Sequence, residues 1–186
     1  MTDPQPAPQP ASVYDLSHAD QEESRATFAV LVDNEPGVLH RVVGLFAARG
    51  YNIDSLTVAE TDGSQHTSRI TIVTRGTPQV LAQIEAQLEK MVSTRHVQDV
   101  TRDPNGLERE LALVKVRGAG AERVEALRVA DIFRAKVVDT THESFVFEIT
   151  GASSKVDKFV GLMRPLGLVE VSRTGVLSLQ RGVEVF

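Results

Sequence analysis

The sequence has no cysteine among its 186 residues. That absence excludes disulfide bonds, thiolate metal sites and a cysteine nucleophile, and it fits a reducing cytosol. No apolar run approaches the roughly 18 to 20 residues that a transmembrane helix needs. The formal net charge of −5 argues against nucleic acid as a general partner. The composition therefore predicts a cytoplasmic protein with no membrane segment and no nucleic-acid partner.

Motifs for catalysis and metal binding are also missing. The histidines show no HxxxH or HExxH spacing, and no GxSxG nucleophile elbow occurs. Nothing around the carboxylates indicates the burial that shifts a pKa, so we interpret them as solvated charges. The histidines are His18, His40, His66, His96 and His142, and the carboxylates so interpreted are those of Glu22, Glu23, Glu108 and Glu110. We predict no catalytic residue and no metal site.

The first 24 residues differ in composition from the rest of the chain. Prolines stand at positions 4, 6, 8 and 10 among glutamine, alanine and acidic residues, with too little apolar surface to fold. The segment has neither a basic region nor an apolar core, so it is not a secretory or transit peptide. We expect residues 1–24 to be a disordered arm, and a proline-rich recognition segment is the alternative.

From residue 25 onward, strand spacing and helix spacing alternate. Pro36 stands at a natural first helical position, and the apolar stripe that follows it ends at Gly50, a good C-cap. Thr77 caps a second helix. The stripe of the first helix is Val38, Leu39, Val42, Leu45 and Phe46. The predicted strands are 27–33, 52–60, 66–74 and 94–101, with a hairpin turn at 61–64. The order is βαββαβ.

The same order recurs after a Pro-Asn-Gly breaker at 103–106. The predicted elements are strands at 110–117, 136–140, 144–150 and 168–172 and helices at 121–134 and 154–164. We predict an α+β fold of two ferredoxin-like βαββαβ domains, 25–102 and 109–186, joined by a linker at 103–108. Each unit has one bare sheet face, which we expect a partner subunit or the other half of the chain to cover.

The loop after the first predicted strand has the chemistry of a small-anion site. Backbone N–H groups and the positive end of a helix dipole favour a carboxylate, and Gly37 has no Cβ to block close approach. Asn34 and Asn52 add amide groups, and Asp54 can offset a positive charge. The combination suits a free amino acid. The alternative is purely structural, because Pro36 and Gly37 are common at helix starts.

A second glycine-containing turn, 117–123, follows a strand and opens a helix. It carries part of a GxGxxG pattern, but Arg123 occupies the position of the third glycine. A tight strand-to-helix turn explains both glycines, so we do not expect dinucleotide binding.

Two stretches of the first unit, 28–39 and 43–58, closely resemble the ACT-domain regulatory small subunits of acetolactate synthase, also called acetohydroxyacid synthase. The string RGYNIDSLTVA within the second stretch is highly specific to that family among ACT proteins. In the second half, 108–116 and 132–135 are similar to the same subunits. The resemblance covers about residues 26–180.

The resemblance implies a non-catalytic regulatory subunit with an N-terminal ACT domain and a C-terminal ACT-like domain. It implies a catalytic large subunit as partner, whose activity this chain raises and which carries thiamine diphosphate, magnesium and FAD. This chain itself is expected to hold no cofactor. It also implies feedback inhibition by valine, or by leucine or isoleucine, in the biosynthesis of these branched-chain amino acids.

The resemblance places the effector site between the ACT domains of a homodimer. Val38 and Ile53 would line a small apolar pocket in it. Carried over by position, one protomer supplies Asn34, Gly37, Val38 and Leu39, and the other supplies Asn52, Ile53 and Asp54.

Two other classes stay open from the residues alone. A free-standing ACT-domain amino-acid sensor could act on another enzyme or on gene expression. For gene expression it would need a DNA-binding element, and we find no helix-turn-helix pattern or basic patch. A small enzyme on the same fold would need a cluster of titratable side chains, which the sequence does not show.

Overall fold

The structure is a computed structural model that describes residues 22–61 and 66–183. Most of the predicted N-terminal arm and the tip of the predicted hairpin at 61–64 therefore lie outside the described residues. No helix in the described ranges is long and apolar enough to cross a membrane.

The N-terminal unit has the predicted βαββαβ order. Its strands form one antiparallel sheet in the order β2-β3-β1-β4. The elements are β1 (Ser24–Asp33), α1 (Val38–Arg49), β2 (Ser55–Glu60), β3 (Thr67–Gly76), α2 (Pro78–Glu89) and β4 (Thr94–Asp99). Strand β2 lies at one edge of the sheet, and α1 connects it to β1.

The C-terminal unit repeats this plan with one addition. Its sheet has the order β6-β7-β5-β8, and a further short strand, β9, pairs with the beginning of β5. The elements are β5 (Gly106–Arg117), α3 (Gly120–Phe133), β6 (Lys136–Thr140), β7 (Ser144–Gly151), α4 (Ser153–Met163), β8 (Leu168–Arg173) and β9 (Leu177–Gln180). The prediction of two ferredoxin-like units is confirmed, whereas β9 was not predicted. Strand β5 begins at Gly106, within the segment predicted as a linker.

The core of the N-terminal unit lies between its sheet and its two helices. Alternate β1 residues Phe28, Val30 and Val32 are fully buried there, as the strand periodicity predicts. Six residues of the helices pack against them: Val38, Val42, Phe46, Leu81, Ile84 and Leu88. Burying one such side chain contributes roughly 1.5 to 3 kcal/mol, so this face fixes the register of the sheet.

Helix α1 begins two residues later than the sequence predicts. Val38 is its first residue, and Gly37 precedes it with a φ of 86°, a left-handed conformation that glycine adopts without steric cost. Pro36 belongs to the turn before the helix, which is closed by the Val38 N–H donating to the Glu35 carbonyl. The far end follows the prediction: Gly50 caps the helix with a φ of 68°.

The outer face of the N-terminal sheet is covered by the other half of the chain. Residues 174–180, which we call the C-terminal ribbon, lie on this face, and Val176 and Ser178 are buried against it. The face is polar: Thr27 and Thr71 on it are almost fully buried. The sequence analysis expected either a partner subunit or the other half of the chain to cover this face. In the structure the other half of the chain covers it.

Candidate functional site

The loop between β1 and α1 presents backbone donors at a helix start. The Val38 N–H donates to the Glu35 carbonyl at 3.3 Å, and the Arg41 N–H donates to the Gly37 carbonyl at 3.0 Å. Among the described residues, the N–H groups of Leu39 and His40 have no acceptor. These donors, together with the positive end of the α1 dipole, favour a carboxylate.

The side chains of this loop are arranged differently from the prediction. Val38 is only 3 % exposed and packs in the core of its own unit, so its side chain does not line an open pocket. Leu39, which is 41 % exposed, is the apolar side chain that faces outward. Asn34 is exposed, and its backbone N–H donates to the His66 carbonyl at 2.7 Å. Gly37 is open, because a Cβ placed on it would meet nothing within 4 Å.

The second predicted group, 52–54, leads into β2 and is held by β3. The Thr74 hydroxyl donates to the Asn52 carbonyl at 2.6 Å, and the Asp54 N–H donates to the Val73 carbonyl at 2.8 Å. The Asn52 side chain donates to Asp54 at 2.8 Å. Ile53 is partly buried against the core. The segment therefore presents an ordered amide and carboxylate at the start of β2.

The charge of Asp54 is already compensated by a residue that sequence reasoning missed. The Arg75 guanidinium forms an ion pair with the Asp54 carboxylate at 2.8 Å. The alternation of β3 could have indicated this partner. Arg75 lies on the same sheet face as Val73, which pairs with Ser55, the residue after Asp54.

The two predicted groups lie at opposite ends of the N-terminal sheet. Asp33, just before the loop, pairs with Thr67, whereas Ser55, just after the second group, pairs with Val73. Thr67 and Val73 are six residues apart on β3, which corresponds to about 20 Å along an antiparallel strand. A single protomer therefore does not bring 34–39 and 52–54 together.

The glycine turn before α3 is structural. The Arg123 guanidinium stacks over the Phe145 ring, 3.8 Å from its centroid, and donates to the Thr141 carbonyl at 2.9 Å. The residue at the position of the third glycine therefore packs on β7 and on the turn that precedes it. In the described ranges, no three His, Asp or Glu side chains form a group that could hold a metal ion.

Both units match family models of one kind. Residues 28–96 match an "AHAS small subunit-like ACT domain", and residues 109–182 match "Small subunit of acetolactate synthase". A probable acetolactate synthase small subunit from Archaeoglobus fulgidus is 45 % identical over 156 residues, covering 84 % of this chain and 96 % of that protein.

The chain belongs to the acetolactate synthase small-subunit family.

Other relatives agree with this assignment. The isozyme 3 small subunit of Escherichia coli is 43 % identical over 162 residues, which cover 87 % of this chain and 98 % of that one. The crystal structure of the Thermotoga maritima small subunit superposes with a TM-score of 0.75 at 38 % identity, covering 87 % of this chain and 99 % of the other. The resemblance noted in the sequence is confirmed. The matched range 109–182 includes β9, so the unpredicted strand lies within the part of the chain shared with the family.

In this small subunit, a cleft of about 970 Å³ lies between the two units. It is lined by residues 52–54 on one side and by the N-terminal end of α4 on the other. Arg25 at the start of β1 makes a two-pronged ion pair with Glu108 on β5, with N–O distances of 2.9 and 3.2 Å. This pair joins the two units directly.

The interpretation of Glu108 and Glu110 as solvated charges is wrong. Glu110 is 5 % exposed, and both of its oxygens accept hydrogen bonds from Arg173 at 2.6 Å. Asp157 pairs with the same guanidinium. The hydrogen bonds to Glu110 are the main reason that the pKa of Arg173 is raised, although burial opposes the shift. Strand parity gave a signal, since Glu110 shares a face with the buried Ala112 and Val114.

Proposed function

We propose that this chain is the regulatory subunit of an acetolactate synthase and that it confers feedback control by valine or another branched-chain amino acid. The family assignment supports a catalytic large subunit as its partner. In this proposal the large subunit works in the cytoplasm and holds the thiamine diphosphate, magnesium and FAD, and the present chain raises its activity. Because both units match small subunits, the family assignment disfavours a free-standing sensor.

The main support for an effector site shared by two protomers is that its two halves lie far apart in one chain. Strands β1 and β2 run parallel, so the 34–39 loop lies at one end of the sheet and 52–54 lies at the other. In a second copy related by a two-fold axis at the β2 edge, the strands would run antiparallel to those of the first copy. Its 34–39 loop would then lie at the same end as 52–54 of the first copy. Two equivalent sites would form, each from both protomers.

Exposed apolar side chains support this edge as the dimer contact. Leu39 and Val43 on α1 are one helical turn apart, and Val58 lies on β2; each is 38 to 42 % exposed in the single chain. Within the described part of the chain, strand β2 pairs only with β3, so its other edge could be extended by a second sheet. A homodimer through the ACT domains would bury these groups.

The chemistry of the joint site fits a zwitterionic amino acid with a small apolar side chain. The N–H groups at the start of α1 would bind the α-carboxylate, with the helix dipole adding to the attraction. Asn52 and Asp54 from the other protomer would bind the α-amino group. Leu39 and Ile53 would contact the aliphatic side chain, whereas Val38 would support the loop from inside the core.

Calorimetry with valine on the full chain tests the site. We expect Asn52→Ala and Gly37→Asp each to abolish or strongly reduce the heat of valine binding. The first removes an amide next to the ligand, and the second places a negative charge at a carboxylate site. Asn105→Ala is the matched control, because Asn105 is an exposed turn residue of the same type on another loop. Valine heat that is unchanged in both site variants would show that the site is wrong.

Reconstitution with the large subunit tests the regulatory role. Acetolactate formation is measured for the large subunit alone, with this chain, and with this chain plus each branched-chain amino acid. We expect the chain to raise activity and the amino acid to lower it again. An activity that does not change on mixing would contradict the proposed partner.

A further inference from the structure

The C-terminal ribbon, 174–180, connects the C-terminal unit to the sheet of the ACT unit. Within its own unit it pairs with the beginning of β5, where Leu179 lies opposite Leu107 and Leu177 lies opposite Arg109. The intervening residue Ser178 faces the ACT sheet and is buried there. The ribbon therefore pairs along one edge with β5 of the C-terminal unit, and one of its faces packs on the sheet of the ACT unit.

Two hydrogen bonds attach the ribbon to β2. The Val176 N–H donates to the Ser55 hydroxyl at 3.1 Å, and the Thr57 hydroxyl donates to the Val176 carbonyl at 3.1 Å. Ser55 directly follows Asp54, the last residue of the 52–54 half of the proposed effector site, which we call the half-site. The first residue of β2 after the half-site is therefore hydrogen-bonded to the C-terminal unit.

A third bond attaches the ribbon to β3. The Arg69 guanidinium donates to the Ser178 carbonyl at 3.0 Å. Partial burial of Arg69 lowers the pKa of its guanidinium.

Gly175 allows the close approach that these bonds require. Its φ is 81°, and a Cβ placed on it would lie 2.5 Å from the Ser55 hydroxyl oxygen and 3.0 Å from the Thr57 hydroxyl oxygen. Any other residue would displace either the ribbon or the Ser55 and Thr57 hydroxyls that bond it, and would also be strained in this conformation. Gly182, with a φ of 98°, has nothing within 4 Å of such a Cβ.

The cleft beside the half-site has no unpaired arginine among its described lining residues that would favour a separate anionic ligand. The arginines that line it are each paired with a carboxylate: Arg25 with Glu108, Arg75 with Asp54, and Arg173 with Glu110. These charges compensate one another, so they hold neighbouring elements together.

We propose that the C-terminal ribbon positions the 52–54 half of the effector site. Thr57 and Gly175 then act as positioning residues for effector binding although neither touches the effector. This inference rests on the proposed function, because it concerns the same amino-acid site. It follows from linkage that effector binding and seating of the ribbon reinforce each other by the same factor.

A pair of substitutions at Thr57 gives the sharpest test. Thr57→Val keeps the shape of the side chain but leaves the Val176 carbonyl without its donor, and Thr57→Ser keeps the hydroxyl. We expect Thr57→Val to weaken valine binding in calorimetry by about three- to tenfold and Thr57→Ser to restore wild-type affinity. All variants are compared at temperatures well below their unfolding midpoints.

A second pair acts through the backbone of the ribbon. Gly175→Ala should weaken valine binding, because the new Cβ collides with the Ser55 and Thr57 hydroxyls and so disrupts their bonds to Val176. Gly182→Ala is the matched control: it adds the same methyl group at a positive φ but in open space. We expect the control to bind valine as the unmodified chain does.

Hydrogen exchange on the unmodified chain needs no variant. Valine should slow amide exchange within 174–180, including the Val176 N–H, although these residues do not contact it. Exchange in this ribbon that is unaffected by bound valine would overturn the inference.

The outcomes separate the two proposals. Valine heat in the unmodified chain that is lost in Asn52→Ala, together with equal affinities for Thr57→Val and Thr57→Ser, overturns the ribbon inference alone. Absence of valine heat in the unmodified chain overturns the proposed effector site, and the ribbon inference with it.

Discussion

At the scale of single residues, the 34–39 loop shows what sequence can and cannot predict. Gly50 was predicted to end the first helix, because glycine takes a positive φ without steric cost, and it does so. Gly37 was predicted to lie inside the helix after Pro36, but it has a positive φ and precedes the helix. Val38 and Leu39 both belonged to the predicted apolar stripe, and spacing alone does not show which of two adjacent residues is buried. In the structure Val38 shares the core face of the helix with Val42 and Phe46, and Leu39 is exposed.

The misjudged glutamates have a related cause. Glu110 is buried with both of its oxygens bonded to Arg173, which is 63 residues away and partly exposed. A local pattern does not show so distant a partner. The parity of β5 places Glu110 on the buried face, but carboxylates are rarely buried without a partner, and that partner is not visible locally.

Glu85 on α2 makes a prediction about pH. Burial is the main cause of its raised pKa, and repulsion from Asp99 adds to it. A raised pKa means that the ionised carboxylate destabilises the folded state at neutral pH. Glu85→Gln should therefore raise the thermal unfolding midpoint at pH 7. The gain should shrink as the pH falls through the raised pKa, and it should vanish below the ordinary glutamate value of 4.5.

Thermal unfolding of Glu60→Gln gives the control for this measurement, since Glu60 is an exposed carboxylate at the end of β2. Its substitution should leave the midpoint nearly unchanged. If Glu85→Gln lowered the midpoint at pH 7, or if its gain grew at acid pH, the sign of the effect would be wrong.

At the scale of elements, hydrophobic periodicity predicted the eight strands and four helices of the two repeats. Most of these elements have buried residues at the spacing of a strand or a helix, so local periodicity was enough to find them. Strands β2, β6 and β8 have no fully buried residue, but their spacing and flanking turns still predicted them. Strand β9 was missed for the opposite reason. It has four residues, Leu177–Gln180, and it is a strand only because the beginning of β5, about seventy positions earlier in the chain, pairs with it.

The joint between β5, β8 and α4 gives a stability prediction. Arg173 on β8 bonds Glu110 on β5 and Asp157 on α4. Arg173→Leu would leave the Glu110 carboxylate buried without its counterion. We expect a loss of about 2 kcal/mol in the free energy of unfolding, below the value for a fully buried pair because Arg173 is partly exposed. Urea denaturation of the full chain measures it.

Arg117→Leu is the matched control for this change. Arg117 pairs with Glu143 at 3.1 Å, and both side chains are more than 70 % exposed. Its loss should cost less than about 0.5 kcal/mol. Equal destabilisation by the two substitutions would mean that the burial of Glu110 does not matter.

At the scale of the whole molecule, the two units divide the work. The ACT unit carries both halves of the proposed effector site at opposite ends of one sheet, and the C-terminal unit reaches the second half through its ribbon. The sequence indicated the chemistry of both halves from residue types alone. Their separation could not be predicted locally, because it depends on β1 and β2 running parallel with β3 between them.

The central claim is that two protomers share each effector site, and a mixed dimer tests it most directly. Chains carrying Gly37→Asp and Asn52→Ala are given different tags and co-expressed, and the heterodimer is isolated. Each variant alone should bind no valine. In the heterodimer, both defects fall in one site and the other site is intact. Calorimetry should therefore find one valine per dimer where the unmodified protein binds two. A heterodimer that binds no valine, like its parents, would place the whole site within one chain and contradict the account.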